Sequence, residues 1–460
     1  MNLKSSFCGI AAAVYAVCAA QAADALSGRV LGYQLDVSRC KVPKQEVLYR
    51  MVDILSSLGY NQFQLYTEHT FAYKGHETVW YDASPMTPED IRALDDYCAK
   101  KGIELVPNQN SFGHMEHWLR HPGYSELALD PLEGTILNPG DPRSLELVKG
   151  LYDQLLPCFH SRYFNVGCDE AEDCPPRAYC DFLKKIHAEV TKRGHTMMFW
   201  GDIVLKHPEF LPELPKDMIC LDWGYGDTHP FEEQTAALEK AGMRFLVCPG
   251  TCAWGSLSGR LDNMLGNIDN AVTAGERHGA EGYLLADWGD GGYPQPWIVS
   301  LPAIVYLSHR AKGENPGKAE IAAEIDRMLG CKCGDALFAY GEVYRKCGGR
   351  MDNATELFFV LRDGLGYKPG RGATEEGYEA AFAQVEYAKS LADLDGAQWW
   401  VKDDFEILDL LYRAVKAKLA WKGDDWRAFR KMFEPKYREL WLRQNRRGGL
   451  KDSLVWLFGR

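Results

Sequence analysis

Two adjacent carboxylates, Asp169 and Glu170, end the apolar run Tyr163-Phe164-Asn165-Val166-Gly167-Cys168. Such a run, bounded by polar turn formers, reads as a buried strand, and acids at its C-terminal end stand where parallel α/β folds keep their chemistry. Proton transfer is what two carboxyls at a strand end would supply. The plainer alternative is a strand-to-helix turn in which they cap the next helix. Groups at other strand ends weigh between the two. Arg39, Glu68, His114, Trp200, Trp223 and Trp288-Gly289-Asp290 each fall just beyond the apolar part of another strand-like run. Taken singly, an indole there is packing and a lone His is structural, but random placement does not put a charged, imidazole or indole group at nearly every strand end. Carboxylates for proton transfer, an Arg for hydroxyls and several indoles as a wall describe a sugar pocket, because pyranose faces stack on aromatic rings.

A metal or an activated side-chain nucleophile fits less well. His114-Met115-Glu116-His117 lacks the i,i+4 His spacing of a zinc helix, and there is neither a GxSxG elbow nor a P-loop. We therefore expect no metal and no cofactor.

The elements that must position these groups alternate regularly. Strand-like runs at Val30 to Val37, Asn61 to Tyr66, Ile103 to Pro107, Tyr163 to Cys168, Met197 to Trp200, Ile219 to Trp223, Phe245 to Cys248 and Gly282 to Trp288 are separated by stretches with helical spacing. This predicts a closed (β/α)8 TIM barrel over residues 28–312, with an open doubly wound sheet as the alternative. From Ala319 onward the chain is rich in Glu, Lys, Leu and Trp at helical spacing, which predicts a helical C-terminal unit over 313–460. Its aromatics, including Trp399, Trp400 and Trp421, read as core.

The chain has 460 residues and a formal charge of -12, which argues against a nucleic-acid or anionic-membrane partner. Residues 1–22 read as a signal peptide: Lys4, an apolar run from Cys8 to Ala20, and Ala20-Gln21-Ala22 as a cleavage site before Ala23. The expectation is an exported protein, periplasmic or extracellular, without a membrane span, because that run is too short to cross a bilayer. In an oxidising compartment Cys174 with Cys180, or Cys331 with Cys347, are candidate disulfides.

Residues 30 to 300 resemble the β-N-acetylhexosaminidases of glycoside hydrolase family 20. The resemblance rests on Asp169-Glu170 after a strand, Leu35-Asp36-Val37-Ser38-Arg39, Gly113-His114, Cys248-Pro249-Gly250-Thr251 through Trp254, and Asp287-Trp288-Gly289-Asp290. It implies substrate-assisted retaining hydrolysis, an exception to the two-carboxylate scheme. Glu170 would be the general acid/base, and Asp169 would hold the substrate's 2-acetamido group as its carbonyl oxygen attacks C1. Arg39 and Asp290 would bind hydroxyls, Trp200, Trp223 and Trp288 would line the pocket, and His114, backed by Glu68, would tune the acid. The family often has His where Asn165 stands and Asp where Glu68 stands. Its acetamido-binding Tyr could correspond to Tyr225, to Tyr293 or to a replacement by Trp254. The implied activity is that of an exo-acting β-N-acetylhexosaminidase removing terminal GlcNAc or GalNAc from glycans. A non-catalytic sugar-binding protein, or a barrel hydrolase for another sugar, is the alternative.

Overall fold

The computed structural model describes residues 28–349, 351, 353–363, 367–420 and 426–458. The expected signal peptide, residues 1–22, and Trp421 lie outside the described residues. Eight parallel strands follow one another: β1 (Val30–Asp36), β2 (Gln62–Tyr66), β3 (Glu104–Val106), β4 (Tyr163–Asn165), β5 (Thr196–Trp200), β6 (Ile219–Trp223), β7 (Arg244–Cys248) and β8 (Gly282–Asp287). Each connects to the next through a crossover containing a helix: α1 (Gln45–Ser57), α2 (Pro88–Lys100), α3 (Pro142–Leu155), α4 (Pro176–Lys192), the short α5 (Asp202–Lys206), α6 (Phe231–Lys240) and α7 (Leu261–Arg277), with α8 (Leu301–Arg310) after β8.

The strands hydrogen-bond in the order β3-β2-β1-β8-β7-β6-β5-β4. The remaining seam, β3 to β4, is bridged at Asn108 and Asn165, where the Asn165 amide donates to Pro107 O at 2.9 Å and the Gln109 amide to Asn165 O at 3.0 Å. The ring thus closes, and the doubly wound alternative falls away. Strands buried on both faces explain the nearly continuous apolar runs, since helices cover the outside and side chains fill the inside. The inside is partly polar: Asn108 Nδ2 and Asn165 Nδ2 donate to Gln64 Oε1 at 3.2 and 3.0 Å. Asn165, at the position where the family that the sequence resembles often has His, therefore belongs to an amide network in the barrel core.

Beyond α8 come α9 (Lys318–Leu329), α10 (Gly334–Gly341), α11 (Glu356–Arg362), α12 (Glu375–Leu391), α13 (Trp399–Leu419), α14 (Trp426–Gln444) and α15 (Leu450–Phe458). Polar contacts tie them to the barrel: Ser258 Oγ meets Tyr412 OH at 2.5 Å, Arg446 pairs with Asp90 at 2.9 Å, and Ser453 Oγ donates to Gly292 O at 2.5 Å. Trp400 is core as expected, at 1% exposure, but Trp399 is 43% exposed. Its ring lies against the guanidinium groups of Arg50 and Arg443, at 5.6 and 5.3 Å, so cation–π contacts replace the expected burial.

The disulfide expectation is corrected. Cys174, Cys180, Cys331 and Cys347 are all free and buried, and Cys331 has Cys333 Sγ 3.8 Å away as a thiol contact. Burial raises the Cys174 and Cys180 thiols to about 11, which keeps them protonated and unreactive at neutral pH. Among the described residues no helix is long and apolar enough to cross a membrane.

Candidate active site

The backbone after β4 leaves strand geometry at once. Gly167, Cys168 and Glu170 have φ of 69°, 75° and 52°, and a left-handed conformation costs a non-glycine residue roughly 1–2 kcal/mol. Such a segment persists only where its surroundings fix it. Here the Gly167 amide donates to Asn165 Oδ1 at 3.0 Å, the Cys168 amide to Asn110 Oδ1 at 3.2 Å, and the Glu170 amide to Asp202 Oδ2 at 3.0 Å. Gly113, in the loop after β3, permits the approach of that loop: a Cβ there would stand 2.2 Å from Asp169 O.

This backbone gives the two acids different environments. Asp169 is 5% exposed and accepts from Asn110 Nδ2 at 3.1 Å, whereas the side chain of Glu170 is 53% exposed at the rim. His114 Nε2 stands 3.3 Å from Asp169 Oδ2 and 3.3 Å from Glu170 Oε2. Burial alone would raise Asp169, but the charge and hydrogen bond of His114, with Arg39, outweigh it and hold the carboxyl below its usual range. Glu170 moves the other way, pushed up by burial and by the neighbouring Asp169 charge, against His114 and Arg39. Two adjacent carboxyls are thus pushed apart: one stays ionised and the other keeps a proton more readily.

Burial and Arg39 oppose a charge on His114, but Asp169 overcomes both and pushes the imidazole to about 9. Since this exceeds the ordinary value of 6.5, the stabilisation is full below that pH and is lost as pH rises through about 9. Replacing His114 by Gln should accordingly flatten the fall of the thermal midpoint over this window, the wild type losing up to about 3 kcal/mol there. Parallel melting curves for the two proteins would show the prediction wrong.

Arg39 occupies the centre of the opposite wall. Its guanidinium contacts Asp36 at 3.3 Å, Asp290 at 3.5 Å and Glu68 at 3.7 Å, and lies 4.8 and 4.9 Å from the rings of Tyr66 and Trp288. Glu68 makes no hydrogen bond to His114 and favours the imidazolium through its charge alone. Its Oε1 accepts from Tyr66 OH at 2.9 Å, and Arg39 Nη2 is the group beside His114 Nδ1, at 3.4 Å. Burial raises Glu68 to about 7 despite Arg39 and His114.

Trp200, Trp223, Trp254 and Trp288 complete a cavity of about 350 Å³ that also contains Arg39, His114, Asp169, Glu170 and Asp290. Of the candidates for the acetamido-binding tyrosine, Tyr225 lines this cavity beside Trp254, while Tyr293 packs under Lys41 at 4.4 Å. Tyr225 OH accepts from Trp288 Nε1 at 2.7 Å and its ring stacks on Trp223, with centroids 5.2 Å apart. The indole nitrogens of Trp200, Trp223 and Trp254 are buried without a partner, an arrangement that calls for an explanation such as an oxygen-rich ligand. Sequence reasoning missed Asn110, Asp202 and Asn353 as site residues. Asn353, from the loop before α11, lines the cavity, so the C-terminal unit contributes to its wall.

A larger cavity of about 600 Å³, walled by His69, His117, Arg120 and Trp456, shares Arg39 and Asp290 but holds neither acid. Glu68, His69 and His117 bring ligand atoms within 4.8 Å of one another. The two imidazoles are stacked, 3.6 Å apart and 8° from parallel, so their in-plane lone pairs do not converge on an ion.

A closed parallel barrel with an unequal carboxyl pair and an indole-lined cavity at the C-terminal ends of its strands defines the class as a TIM-barrel protein with a glycoside-hydrolase type of site. Residues 31–255 match the family model described as glycosyl hydrolase family 20, catalytic domain, so the resemblance read from the sequence holds. Among curated proteins, Hexosaminidase D of Bos taurus is 30% identical over 129 residues, which are 28% of this chain and 37% of that protein. A beta-hexosaminidase of Akkermansia muciniphila is 21% identical over 342 residues, 61% of this chain and 65% of the relative. The chain thus spans little more than a third of the bovine relative's length. A β-N-acetylhexosaminidase from Bacteroides fragilis superposes with a TM-score of 0.52 at 17% identity, covering 65% of this chain and 68% of its own. The β-N-acetylhexosaminidase of Streptomyces coelicolor gives 0.52 at 18%, covering 66% and 69%. These likenesses are of fold.

Proposed function

We propose that this protein is an exo-acting β-N-acetylhexosaminidase, removing terminal GlcNAc or GalNAc from glycans with retention and with the substrate's acetamido oxygen as nucleophile. The observation that carries this reading is the unequal placement of two adjacent carboxyls, Asp169 buried against Asn110 and His114 and Glu170 half-exposed at the rim of the indole-lined cavity. Glu170, at the rim, donates a proton to the leaving oxygen as the C1–O bond breaks. The acetamido carbonyl oxygen forms the new bond to C1, and the buried Asp169 carboxylate accepts from the acetamido N–H and offsets the positive charge on the resulting ring. Water then attacks C1 from the face the leaving group vacated, the bond from C1 to the acetamido oxygen breaks to restore the acetamide, and Glu170 takes the proton of the water. Arg39 and Asp290 suit the hydroxyls of the terminal sugar, and Trp200, Trp223, Trp254 and Tyr225 suit its face and acetamido methyl.

A sugar-binding protein without catalysis would have no need of a buried carboxylate and a rim carboxyl side by side, both within reach of one imidazole. Release of p-nitrophenol from the N-acetylglucosaminide or N-acetylgalactosaminide tests the reading. Inactivity on both would overturn it, and hydrolysis of the plain glucoside at an equal rate would assign the barrel to another sugar.

Export is part of the same proposal, supported by Lys4, the apolar run and Ala20-Gln21-Ala22. Protein recovered from its native host should begin near Ala23; a chain beginning at Met1 would refute processing.

A further inference from the structure

The structure assigns to Asp202 the task of a positioning residue for Glu170: by accepting the Glu170 backbone N–H, its carboxylate holds the proton-donating side chain at the rim of the sugar pocket. This rests on the proposed role of Glu170 and adds a residue that the strand-end pattern did not single out.

Glu170 stands at φ 52°, a conformation from which a non-glycine residue relaxes toward negative φ unless something fixes it. Relaxation would swing the side chain away from the leaving oxygen. The Glu170 amide makes one contact that opposes this, the 3.0 Å bond to Asp202 Oδ2, across 32 residues of sequence. Asp202 can serve because its own position is fixed. It opens α5 directly after β5, where the Trp200 amide donates to Gly167 O at 3.0 Å and the Gly201 amide to Leu221 O at 2.9 Å. Gly201 itself sits so close to β6 that a Cβ would lie 2.4 Å from Cys220 Sγ.

The rest of the surroundings leaves Asp202 free for this one bond. Its other oxygen is buried without a hydrogen-bond partner, and the nearby Lys206 ammonium pairs with Glu172. Asp169, by contrast, is held by Asn110 and His114. His114 reaches both acids of the pair, but the bond to Asp202 holds the backbone of Glu170, so loss of Asp202 should reproduce loss of the proton donor while Asn110 and His114 keep the acetamido-binding acid in place.

A leaving-group series on the full chain tests this. Asp202→Ala should lower kcat on an N-acetylhexosamine disaccharide by about tenfold or more, yet by less than about threefold on an aryl glycoside with an acidic phenol, with KM little changed. Asp202→Asn, which keeps an acceptor oxygen of the same reach, should stay within about threefold of wild type on both substrates. Equal losses on good and poor leaving groups in the Ala variant would overturn the inference. So would a folded Asn variant as impaired on the disaccharide as a proton-donor knockout, and this arm stands even if Asp202→Ala fails to fold. A wild type inactive on every N-acetylhexosaminide would refute the functional reading itself. The anchor is then judged separately by hydrogen exchange of the peptide carrying the Glu170 amide: faster exchange in a folded Asp202 variant supports it, and unchanged exchange overturns it.

Discussion

Asp169→Asn should lower kcat/KM by roughly a hundredfold or more, and by the same factor for good and poor leaving groups. The expectation follows from where Asp169 sits. It is the buried member of the pair, fixed by Asn110 and His114, and it stays ionised because the His114 charge outweighs the cost of burial. A carboxylate so placed is preorganised for the positive charge that develops on the acetamido group as its oxygen displaces any leaving group, and Asn removes the carboxylate's charge at constant shape. Replacing the substrate's acetamido by a hydroxyl removes the nucleophile and should do at least comparable harm to the wild type, and on that substrate Asp169→Asn should add little, since Asp169 acts through the acetamido group. Additive losses would show that Asp169 acts elsewhere. A covalent sugar adduct on an enzyme carboxylate would show that the acetamido group is not the nucleophile at all.

Glu170→Gln should have the opposite dependence on the leaving group. Its carboxyl is half-exposed and raised above the usual range, as suits a group that must hold a proton and meet a departing oxygen. Hydrolysis of a natural disaccharide should fall by about two to four powers of ten, while the first step on an aryl glycoside with an acidic phenol is largely spared. The second step still needs a base to deprotonate water, so an initial burst of phenol, followed by slow turnover, is expected with the best leaving groups. Pre-steady-state release measured across a phenol series would reveal it. Equal leaving-group sensitivity in Glu170→Gln and Asp169→Asn would remove the division of labour between the two acids.

By itself, the sequence determined the alternation of eight strands with helices, because burial on both strand faces and on one helix face writes short-range periodicity into the chain. It also determined which residues stand at the strand ends, and hence that Arg39, His114, Asp169, Glu170 and the indoles gather on one face once the barrel closes. What they do to one another was decided only by tertiary structure. Glu68 meets Arg39 rather than His114, and Tyr225 rather than Tyr293 enters the cavity, because loop paths after the strands turn side chains through angles that no periodicity encodes. The same holds for Asn353, which reaches the site from the C-terminal helices, and for Asp202, whose bond to Glu170 depends on a left-handed backbone after β4. Trp399 is a surface indole under two arginines and the cysteines among the described residues are unpaired, since exposure and pairing depend on neighbours distant in sequence. Local pattern is set by burial, which each residue reports for itself; contacts across strand ends are set by the register and loops of the closed barrel, which no single residue reports.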